Sequence, residues 1–448
     1  MKRVNVDEVV QNSRFNGFHL LFLVLCTFMI MCDGYDTFMF GTIVPSLIKD
    51  WHISAVVAGS LNSYALIGMG LGALVLSPIA DKVGRKNMVF VSAIVFCVFM
   101  GLTALSTGPT MFAIFRFITG LGLGGLMPNN VALVTEYAPK RLKSTFVALM
   151  FSGHPLGGVL ASLIGMYVVP TLGWRAELWI GVIPILAIPA FYALVPDSLR
   201  FYVLKGQRHR VAAVLTKITG TVYSVDDEYT VVEHPQKGFP VKKLFEGHRG
   251  LSTIMFWIAF FMCLLTMYGL TTWLPNLMTN AGFPLGSSLA SLLALNVGAI
   301  AGAIVGGQIA DHVGPKRVLV TAFIIAAISM ILIGTRPDMV FLYILLFIAG
   351  ATTTGTQIVA NAYVSQYYPE DMRSTGIGWS LGIGRIGGIL GPTMGGVLLT
   401  AHLPLAVNFL AFAIPSVIAA IALLFVQQQY GFNLPRLRSE PHKKVSLN

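Results

Sequence analysis

The chain has 448 residues, of which 55% are hydrophobic and only 11% are charged, and its mean hydropathy is +0.75. Soluble domains carry about 25% charged residues, so this composition excludes an ordinary soluble protein and indicates one solvated mainly by lipid. The formal net charge of +11 does not indicate nucleic-acid binding, because the basic residues cluster in short connections on alternate sides of the apolar segments.

Twelve apolar segments follow one another along the chain. We interpret all of them as membrane-spanning helices, because an isolated strand cannot satisfy its backbone in lipid. The first six lie near residues 17–45, 56–78, 88–106, 110–136, 144–168 and 178–196, and the second six near 251–279, 288–310, 317–335, 339–366, 374–401 and 405–428. The predicted fold class is an all-α integral membrane protein. Its parts are an N-terminus (1–16), an N-terminal half (17–196), a central loop (197–250), a C-terminal half (251–428) and a tail (429–448).

The positions of lysine and arginine orient these segments. Most of them lie in the N-terminus, alternate connections, the central loop and the tail, and the positive-inside rule assigns those parts to the cytoplasm. The other side carries only Lys49, Arg175 and Arg336. Two basic residues, Arg116 and Arg385, are left inside predicted spans.

The chain offers no pattern typical of a cofactor, a metal or a disulfide. Its nine histidines are scattered, no phosphate-binding glycine loop occurs, and the cysteines lie inside apolar segments at Cys26, Cys32, Cys97 and Cys263. We therefore predict no cofactor and no metal, and we disfavour a membrane-embedded enzyme and ATP-driven transport. The central loop is too short and polar to provide a convincing sensor domain.

Two carboxylates, Asp33 and Asp36, interrupt the first apolar segment near its middle. Each costs about 2.5–3.5 kcal/mol on insertion scales, and their spacing places both on roughly one side of a helix. The default interpretation is a proton or substrate site that lines a polar interior. The alternative is a paired structural acid.

The two halves repeat at one offset, close to 230 residues. Both halves enter from the same side of the membrane, so this is a parallel repeat about an axis along the membrane normal, as in transporters whose halves rock around a midplane site. The matching pairs are Thr42–Leu47 with Thr272–Leu277, Ile79–Gly84 with Ile309–Gly314, Lys143–Thr145 with Arg373–Thr375, and Gly157–Gly158 with Gly387–Gly388.

The connection between the second and third segments, Asp81-Lys82-Val83-Gly84-Arg85-Lys86, resembles the hallmark loop of the major facilitator superfamily. A degenerate copy occurs at Gly307–Lys316. Ser77 replaces the usual leading glycine of the first copy, and Pro315 replaces the arginine of the second.

Further motifs resemble the aromatic acid:proton symporters of that superfamily, and together they cover the chain except the central loop and the tail. They are Asp33–Asp36, Arg116–Gly125, Pro128-Asn129, Glu136–Pro139, Trp273–Pro275, Asn361, Tyr368-Pro369, Arg373–Trp379 and Gly384–Gly387.

This resemblance implies a secondary transporter with twelve helices in two pseudo-symmetric halves. Members import benzoate, hydroxybenzoates or related acids with protons across the bacterial cytoplasmic membrane by alternating access. Uptake of another small organic anion stays open as an alternative. Proton-driven efflux is less favoured, because the antiporter-like spacing Gly387–Gly396 lies in the eleventh segment and not in the fifth. We expect the protein to act as a monomer in membrane lipid.

The charged residues inside the spans receive specific roles. Arg385 lies near the midplane, where a guanidinium can hold the substrate's carboxylate through two hydrogen bonds; the alternative is an ion pair with Asp33 or Asp36. Relatives place an arginine at the position of Arg116 for proton coupling, so we expect it to pair with one of the two acids. Asp33 and Asp36 are the candidate proton carriers, and the sequence does not separate them.

A second set is expected to form a latch at the cytoplasmic helix ends, which holds the outward-facing state. Asp81 is placed to meet the positive N-terminal end of the eleventh helix near Arg373, and Arg85 is expected to pair with Glu136. The set is completed by the repeat-related positions and consists of Asp81, Gly84, Arg85, Glu136, Asp311 and Arg373.

Aromatic and amide side chains complete the expected pocket, since flat aromatic substrates suit such walls. The substrate-binding candidates are Tyr35, Asn129, His154, Tyr268, Trp273, Asn361 and Trp379, with Tyr64, Asn130 and Gln357 as further members. Packing is the alternative for each. Trp379 and Asn361 are the favoured pair because they lie on the eleventh and tenth segments near Arg385.

Overall fold

Twelve long helices dominate the structure, a computed structural model that describes residues 3–231, 241–401 and 403–431. The predictions for the basic N-terminal Lys2 and for the basic tail beyond Gly431 lie outside the described residues. The helices are α1 (Gly17–Trp51), α2 (Ala55–Val83), α3 (Arg85–Ala104), α4 (Pro109–Tyr137), α5 (Lys143–Leu172), α6 (Trp174–Leu194), α7 (Gly250–Asn280), α8 (Leu285–Val313), α9 (Pro315–Gly334), α10 (Met339–Tyr367), α11 (Glu370–Thr400) and α12 (Leu405–Leu424). The predicted all-α architecture is confirmed.

Eleven of the described helices are long and apolar enough to span a membrane. The twelfth, α11, has 31 residues and is less apolar because it carries two arginines and many glycines. It packs against α2 and α7 inside the bundle, which is where a polar, glycine-rich helix is tolerated.

Two of the spans are interrupted. In α6, a helical turn at Trp174–Ile180 leads into a 3-10 turn at Ile183–Leu186 and a second helix at Ile188–Leu194. Prolines at positions 184 and 189 cause this, because each lacks the N–H that would continue the ladder. In α10 the break falls at Thr353, which has φ −109° and ψ −78°.

The two halves use the same pairs of neighbouring helices, as the internal repeat predicts. α1 packs on α5 and α2 on α4 in the N-terminal half, and α7 packs on α11 and α8 on α10 in the C-terminal half. The halves meet through α1 with α7, α2 with α11, and α5 with α8.

The contacts between the halves concentrate at one end of the bundle. We call the end that holds the start of α1 and the described part of the segment 197–249 the linker end, and the opposite end the far end. At the far end, α2 and α11 approach so closely that a β-carbon at Gly59 would overlap the carbonyl oxygen of Pro392, and one at Gly396 would clash with Ala55. Backbone contact of this kind needs glycine.

Hydrogen bonds reinforce the far-end contact. Ser63 Oγ donates to the carbonyl oxygen of Ile389 at 2.6 Å and lies 3.0 Å from Thr393 Oγ1. Asn62 Nδ2 donates to Thr272 Oγ1 of α7 at 2.9 Å. The far end is therefore closed.

The linker end of the same helices is parted. Within the part of the chain that the structure describes, a β-carbon at Gly70 of α2, or at Gly378 or Gly382 of α11, would meet no atom of another helix within 4 Å. The halves thus enclose a space that opens toward the linker end.

The segment 197–250, predicted as one loop, is ordered in two parts that belong to different halves. Strand β1 (Arg3–Asn5) pairs in parallel with β2 (Glu228–Thr230), with Val4 opposite Tyr229. Asn16 Nδ2 donates to the carbonyl oxygen of Ile218 at 2.8 Å, at the end of the helix Arg208–Thr219. These contacts tie the first part to the N-terminal half.

The second part of the segment packs on the C-terminal half. Its 3-10 turn, Val241–Phe245, contacts α7 and α11. Thr253 Oγ1 donates to the carbonyl oxygen of Leu244 at 2.8 Å, and the rings of Phe245 and Trp257 meet edge to face.

Candidate functional site

Both carboxylates of the predicted acidic pair are buried in the middle of α1. Asp33 and Asp36 are each 2% exposed. Between them, a β-carbon at Gly34 would overlap the carbonyl oxygen of His154 on α5. The glycine therefore lets α1 lie directly against α5, and this contact holds the two acids inside the N-terminal half.

Arg116 of α4 forms a buried ion pair with Asp36, which confirms one of the two pairings that the sequence allowed. Arg116 is 1% exposed, and its guanidinium also lies 5.6 Å from the centre of the Phe40 ring. A buried charge is tolerated when a geometrically good counter-charge accompanies it. Each residue of this pair supplies that charge to the other.

Asp33 has no such partner. Its Oδ1 atom is buried without a hydrogen bond, and none of the ion pairs among the described residues includes it. It interacts electrostatically with Asp36 on its own helix and with Arg385 across the two halves. Asp33 is thus a poorly compensated acid that faces the C-terminal half.

Arg385 is half-buried on α11, and no ion pair or hydrogen bond of its guanidinium occurs among residues 3–231, 241–401 and 403–431. The alternative of a locked ion pair with Asp33 or Asp36 is therefore not observed. Tyr268 of α7 interacts electrostatically with both Arg385 and Asp33. We call these three residues the junction group between the halves. The substrate-binding roles predicted for Arg385 and Tyr268 stay predictions.

Two amides toward the linker end of the bundle also keep unpaired polar atoms. Asn361 Oδ1 on α10 and both amide atoms of Asn130 on α4 are buried without a hydrogen bond in the described chain. Buried polar atoms are usually paired, so such atoms are candidates for contact with a polar ligand. Asn129, by contrast, donates from Nδ2 to the carbonyl oxygen of Gly125 at 2.7 Å.

The structure does not bring the two predicted tryptophans to the junction group. Trp273 is fully buried in the far-end contact, and its Nε1 donates to the carbonyl oxygen of Pro392 at 2.6 Å. Trp379 stacks on Trp257 with ring centres 5.6 Å apart. It lies six residues before Arg385, about 9 Å along α11 and on another face of the helix.

Tyr35 and His154 point elsewhere as well. The Tyr35 hydroxyl donates to the carbonyl oxygen of Glu177 at 2.9 Å, inside the N-terminal half. The Tyr35 ring also lines an apolar cavity of about 300 Å³ between α1, α5 and α6. His154 meets the Phe38 ring edge to face at 5.5 Å.

At the linker end, Arg85 Nη1 lies 3.0 Å from Glu136 Oε2, which confirms that predicted pair. The ion-pair partner of Asp81 in the described chain is Arg85, the first residue of α3, at 3.5 Å, and the Asp81 side chain is 64% exposed. Asp311 is exposed in the repeat-related position, and Arg373 Nε has no partner among the described residues. The predicted contact of Asp81 with the start of α11 is not made in this arrangement.

Three further residues, Asp197, Ser198 and Arg200, complete the Arg85–Glu136 cluster, and no sequence pattern indicated them. Glu136 Oε1 accepts hydrogen bonds from Ser198 Oγ at 2.9 Å and from the Arg200 N–H at 3.0 Å. Asp197 accepts from the N–H groups of Lys86 and Ser198. Burial raises the pKa of the Asp197 carboxyl, and these N–H groups partly oppose that shift. The sequence analysis ends the sixth segment at residue 196, so it assigns the turn formed by residues 197–200 to the central loop.

The same kind of boundary error hid a buried acid. The sixth segment was predicted to begin near residue 178, which leaves Glu177 in an external connection. The structure begins α6 at Trp174 and buries Glu177 completely.

Comparison with known proteins decides the family. The family model described as Major Facilitator Superfamily matches residues 26–309 and 287–447. The chain belongs to the major facilitator superfamily. This member is a multi-pass membrane transporter and not an enzyme, and it falls within the superfamily's aromatic acid transporters.

Its curated relatives carry the names of such transporters. The benzoate transport protein of Acinetobacter baylyi is 40% identical over 96% of this chain and 94% of that protein. The gentisate transporter of Corynebacterium glutamicum is 34% identical over 95% of this chain and 94% of its own length. The 4-hydroxybenzoate transporter PcaK of Pseudomonas putida is 32% identical over 94% of this chain and 96% of that protein.

Solved structures share the fold at low identity. The xylose transporter XylE from E. coli, in a partially occluded inward-open conformation, is 17% identical with a TM-score of 0.72 over 92% of this chain and all of that one. A bacterial homologue of the human lysosomal transporter Spinster, inward-facing and occupied, is 15% identical with a TM-score of 0.73 over 94% and 99%. The twelve-helix facilitator fold is thereby confirmed.

Proposed function

We propose that this protein imports an aromatic carboxylate, such as benzoate or a hydroxybenzoate, together with protons. The observation that carries the proposal is the junction group. Within the described residues neither Arg385 nor the buried Asp33 forms an ion pair, and the two interact electrostatically across the halves. The names of the relatives, among them transporters of benzoate, gentisate and 4-hydroxybenzoate, support the substrate class.

Arg385 binds the carboxylate in this mechanism. Its planar fork matches a carboxylate through two parallel hydrogen bonds and cannot lose its proton. Tyr268, beside it, provides an aromatic wall and a phenolic hydroxyl for the substrate ring. Asn361, with its free amide oxygen, suits a ring hydroxyl that donates a hydrogen bond.

Protons enter through the acids of α1. A substrate anion at Arg385 adds negative charge near Asp33, so protonation of Asp33 accompanies binding. Asp36 exchanges its ion pair with Arg116 for a proton during the transport cycle. Net charge in the membrane interior then stays low in both the empty and the loaded protein.

The structure represents the inward-facing arrangement if the linker end is cytoplasmic, as the positive-inside rule predicts. In the proposal both termini are cytoplasmic and the membrane is the bacterial inner membrane. Asp81 is then free because the cytoplasmic ends are parted, and it meets the start of α11, near Arg373, only in the outward-facing state. One chain holds all these residues, which supports a monomeric transporter.

The test is uptake of labelled benzoate into proteoliposomes with an inward proton gradient, using a panel that includes gentisate, 4-hydroxybenzoate and a non-aromatic dicarboxylate. Wild-type protein should accumulate an aromatic acid, and Asp33→Asn and Asp36→Asn should lose accumulation while they keep substrate exchange. Accumulation retained in both variants would refute the coupling assignment. Accumulation of the dicarboxylate alone would refute the substrate class.

A further inference from the structure

A third acid buried within a span, Glu177, lies in the first turn of α6 and has no role in the proposed transport cycle. Its side chain is 0% exposed. It faces α1 at Thr42 and α5 at Gly165, where an added β-carbon would come within 3.0 Å of Glu177 Oε1. All of these residues belong to the N-terminal half, so rocking of the halves does not open this site.

The hydrogen bonds around Glu177 require two protons. Thr42 Oγ1 lies 2.7 Å from both Oε1 and Oε2 of Glu177, and 2.6 Å from the carbonyl oxygen of Met39. A hydroxyl has one proton to donate, and an ionised carboxylate has none. If Glu177 is protonated, one of its oxygens donates to Thr42 and Thr42 donates to Met39, so the contact to Met39 and a contact to Glu177 each have their own proton.

No positive charge compensates an ionised Glu177 within the described residues. On its own helix, Arg175 donates to the carbonyl oxygen of Ser106 and stacks on Trp174. On α1, Lys49 is exposed in the last turn, Asp50 accepts from Trp174, and Asp36 pairs with Arg116. On α5 the facing residue is Gly165, and α3 presents Met100 and Gly101 to this helix. The remaining titratable neighbour is Tyr35, whose hydroxyl donates to the Glu177 backbone.

Glu177 lies in the first turn of a helix, and the positive end of the helix dipole there favours a negative charge. That effect is smaller than the cost of burying a carboxylate with no counter-charge. The balance favours the neutral acid.

We infer that Glu177 is a proton-binding site that stays occupied: a neutral carboxylic acid that donates to Thr42 and fixes α6 on α1. It is a positioning residue. Through Thr42 and the Tyr35 hydroxyl it holds the stretch of α1 that carries Asp36. Unlike the acids of the proposed coupling site, it keeps its proton through the cycle.

Infrared spectroscopy of the purified protein in lipid nanodiscs tests the proton directly. A protonated carboxyl has a C=O stretch above the amide I band, and the wild type should show one at neutral pH that Glu177→Gln lacks. Glu136→Gln is the matched control, because that buried acid is paired with Arg85 and should contribute no such band. A band that is unchanged in Glu177→Gln would overturn the inference.

Thr42→Val provides a second variant that keeps the acid and removes its acceptor. The band should move to higher frequency, because the O–H loses its hydrogen bond. An unshifted band would contradict the assigned contact.

Transport measurements separate a retained proton from an exchanged one. Glu177→Gln is neutral and can donate from Nε2, so proton-driven uptake should stay within about twofold of wild type with an unchanged pH profile. Loss of accumulation with exchange retained would make Glu177 a coupling acid and overturn the inference. The role of Glu177 in holding α1 rests on the proposed function. The protonation of Glu177 does not, so it would still be established by the infrared band if the wild type took up no aromatic acid.

Discussion

Asp33 and Asp36 share one helix and one degree of burial, but only Asp36 has a counter-charge within ion-pair distance in the described chain. Removal of one member of a buried ion pair leaves the other charge uncompensated. Removal of a buried charge that has no partner eliminates the desolvation cost of burying it. The two acids should therefore behave oppositely in stability measurements even though both are proposed to carry protons.

We predict that Asp36→Asn destabilises the protein by about 3–5 kcal/mol, because Arg116 is left buried without its partner. Asp33→Asn should leave stability unchanged or increase it, because Asp33 Oδ1 has no bond to lose. Thermal unfolding of the purified variants measures both. Equal losses in the two variants would show that Asp33 has a partner equivalent to Arg116.

Arg385→Lys should raise the KM for the aromatic acid by about 10-fold to 100-fold, since a hydrogen bond to a charged group contributes about 1.5–3 kcal/mol and lysine cannot form the bidentate pair. Initial rates of benzoate uptake provide the measurement. Arg317→Lys, an exposed arginine at the start of α9, is the matched control and should behave as wild type. An unchanged KM in Arg385→Lys would place the carboxylate elsewhere.

Among single residues, the contacts of charged side chains were easier to predict from the sequence than the contacts of aromatic side chains. Few charged residues fall inside the spans, so Arg116 had only Asp33 and Asp36 as plausible partners, and the pair with Asp36 exists. Trp273 could not be placed, because its role depends on a backbone carbonyl of Pro392 on another helix. Glu177 was missed because hydropathy alone does not locate the first turn of a helix.

Among the helices, the most specific shared detail is how α2 and α8 end. Gly84 has φ 102° and ψ 137°, and its repeat-related partner Gly314 has φ 93° and ψ 140°. Residues other than glycine rarely adopt this positive-φ backbone conformation, so both positions need glycine whatever surrounds them. The surroundings differ, however. A β-carbon at Gly84 would overlap Asp197 Oδ2, and one at Gly314 would meet nothing within 4 Å among the described residues.

We therefore predict that Gly84→Ala is more damaging than Gly314→Ala. Both variants bear backbone strain of about 1–3 kcal/mol, and only Gly84→Ala also displaces Asp197 from the N–H groups of Lys86 and Ser198. The melting temperature and the yield of folded protein in detergent measure the difference. Equal losses would mean that the Asp197 contact is unimportant for stability.

The existence and order of the helices followed from hydropathy, because each must cross a lipid core of about 30 Å. The interruptions did not follow. Prolines occur inside several spans, including Pro45 of α1 and Pro128 of α4, and those helices continue through them. Only α6 carries two prolines five residues apart, at 184 and 189, which removes consecutive turns of hydrogen bonds.

For the molecule as a whole, the far-end contact sets which side of the membrane the central space faces. Its hydrogen bonds join uncharged groups: Ser63 Oγ donates to the backbone carbonyl of Ile389, and Asn62 donates to the Thr272 hydroxyl. Each contributes about 0.5–1.5 kcal/mol. Transporter states often differ by only a few kcal/mol. Loss of one such bond should therefore measurably change the relative populations of the inward-facing and outward-facing states.

Ser63→Ala should favour the outward-facing state. The readout is thiol labelling of Gly382→Cys, a position with open space around it at the linker end. The four native cysteines are buried and should give little background. Labelling should fall in Ser63→Ala and stay unchanged in Ser60→Ala, whose hydroxyl bonds only its own helix at Val57. The same labelling in both variants would rule out Ser63 as part of the closure.

The internal repeat and the two-half architecture were visible in the sequence, because each half must bury its own helix contacts. Which end is closed was not. Both arrangements use the same residues, and the choice depends on contacts such as Gly59 with Pro392 that only the three-dimensional arrangement reveals.

The pairing of β1 with β2 bears on how the polypeptide can be divided. Because Arg3–Asn5 align with Glu228–Thr230, residues 3–231 form one contact network, whereas Val241–Phe245 already packs with the C-terminal helices. A gene split after Val231 would give each fragment its own share of the connecting segment. A split at Pro196 would remove β2 from the N-terminal fragment, so its strand β1 would have no strand to pair with. Two-piece expression, for fluorescence pairing or segmental isotope labelling of one half, should therefore use the later position.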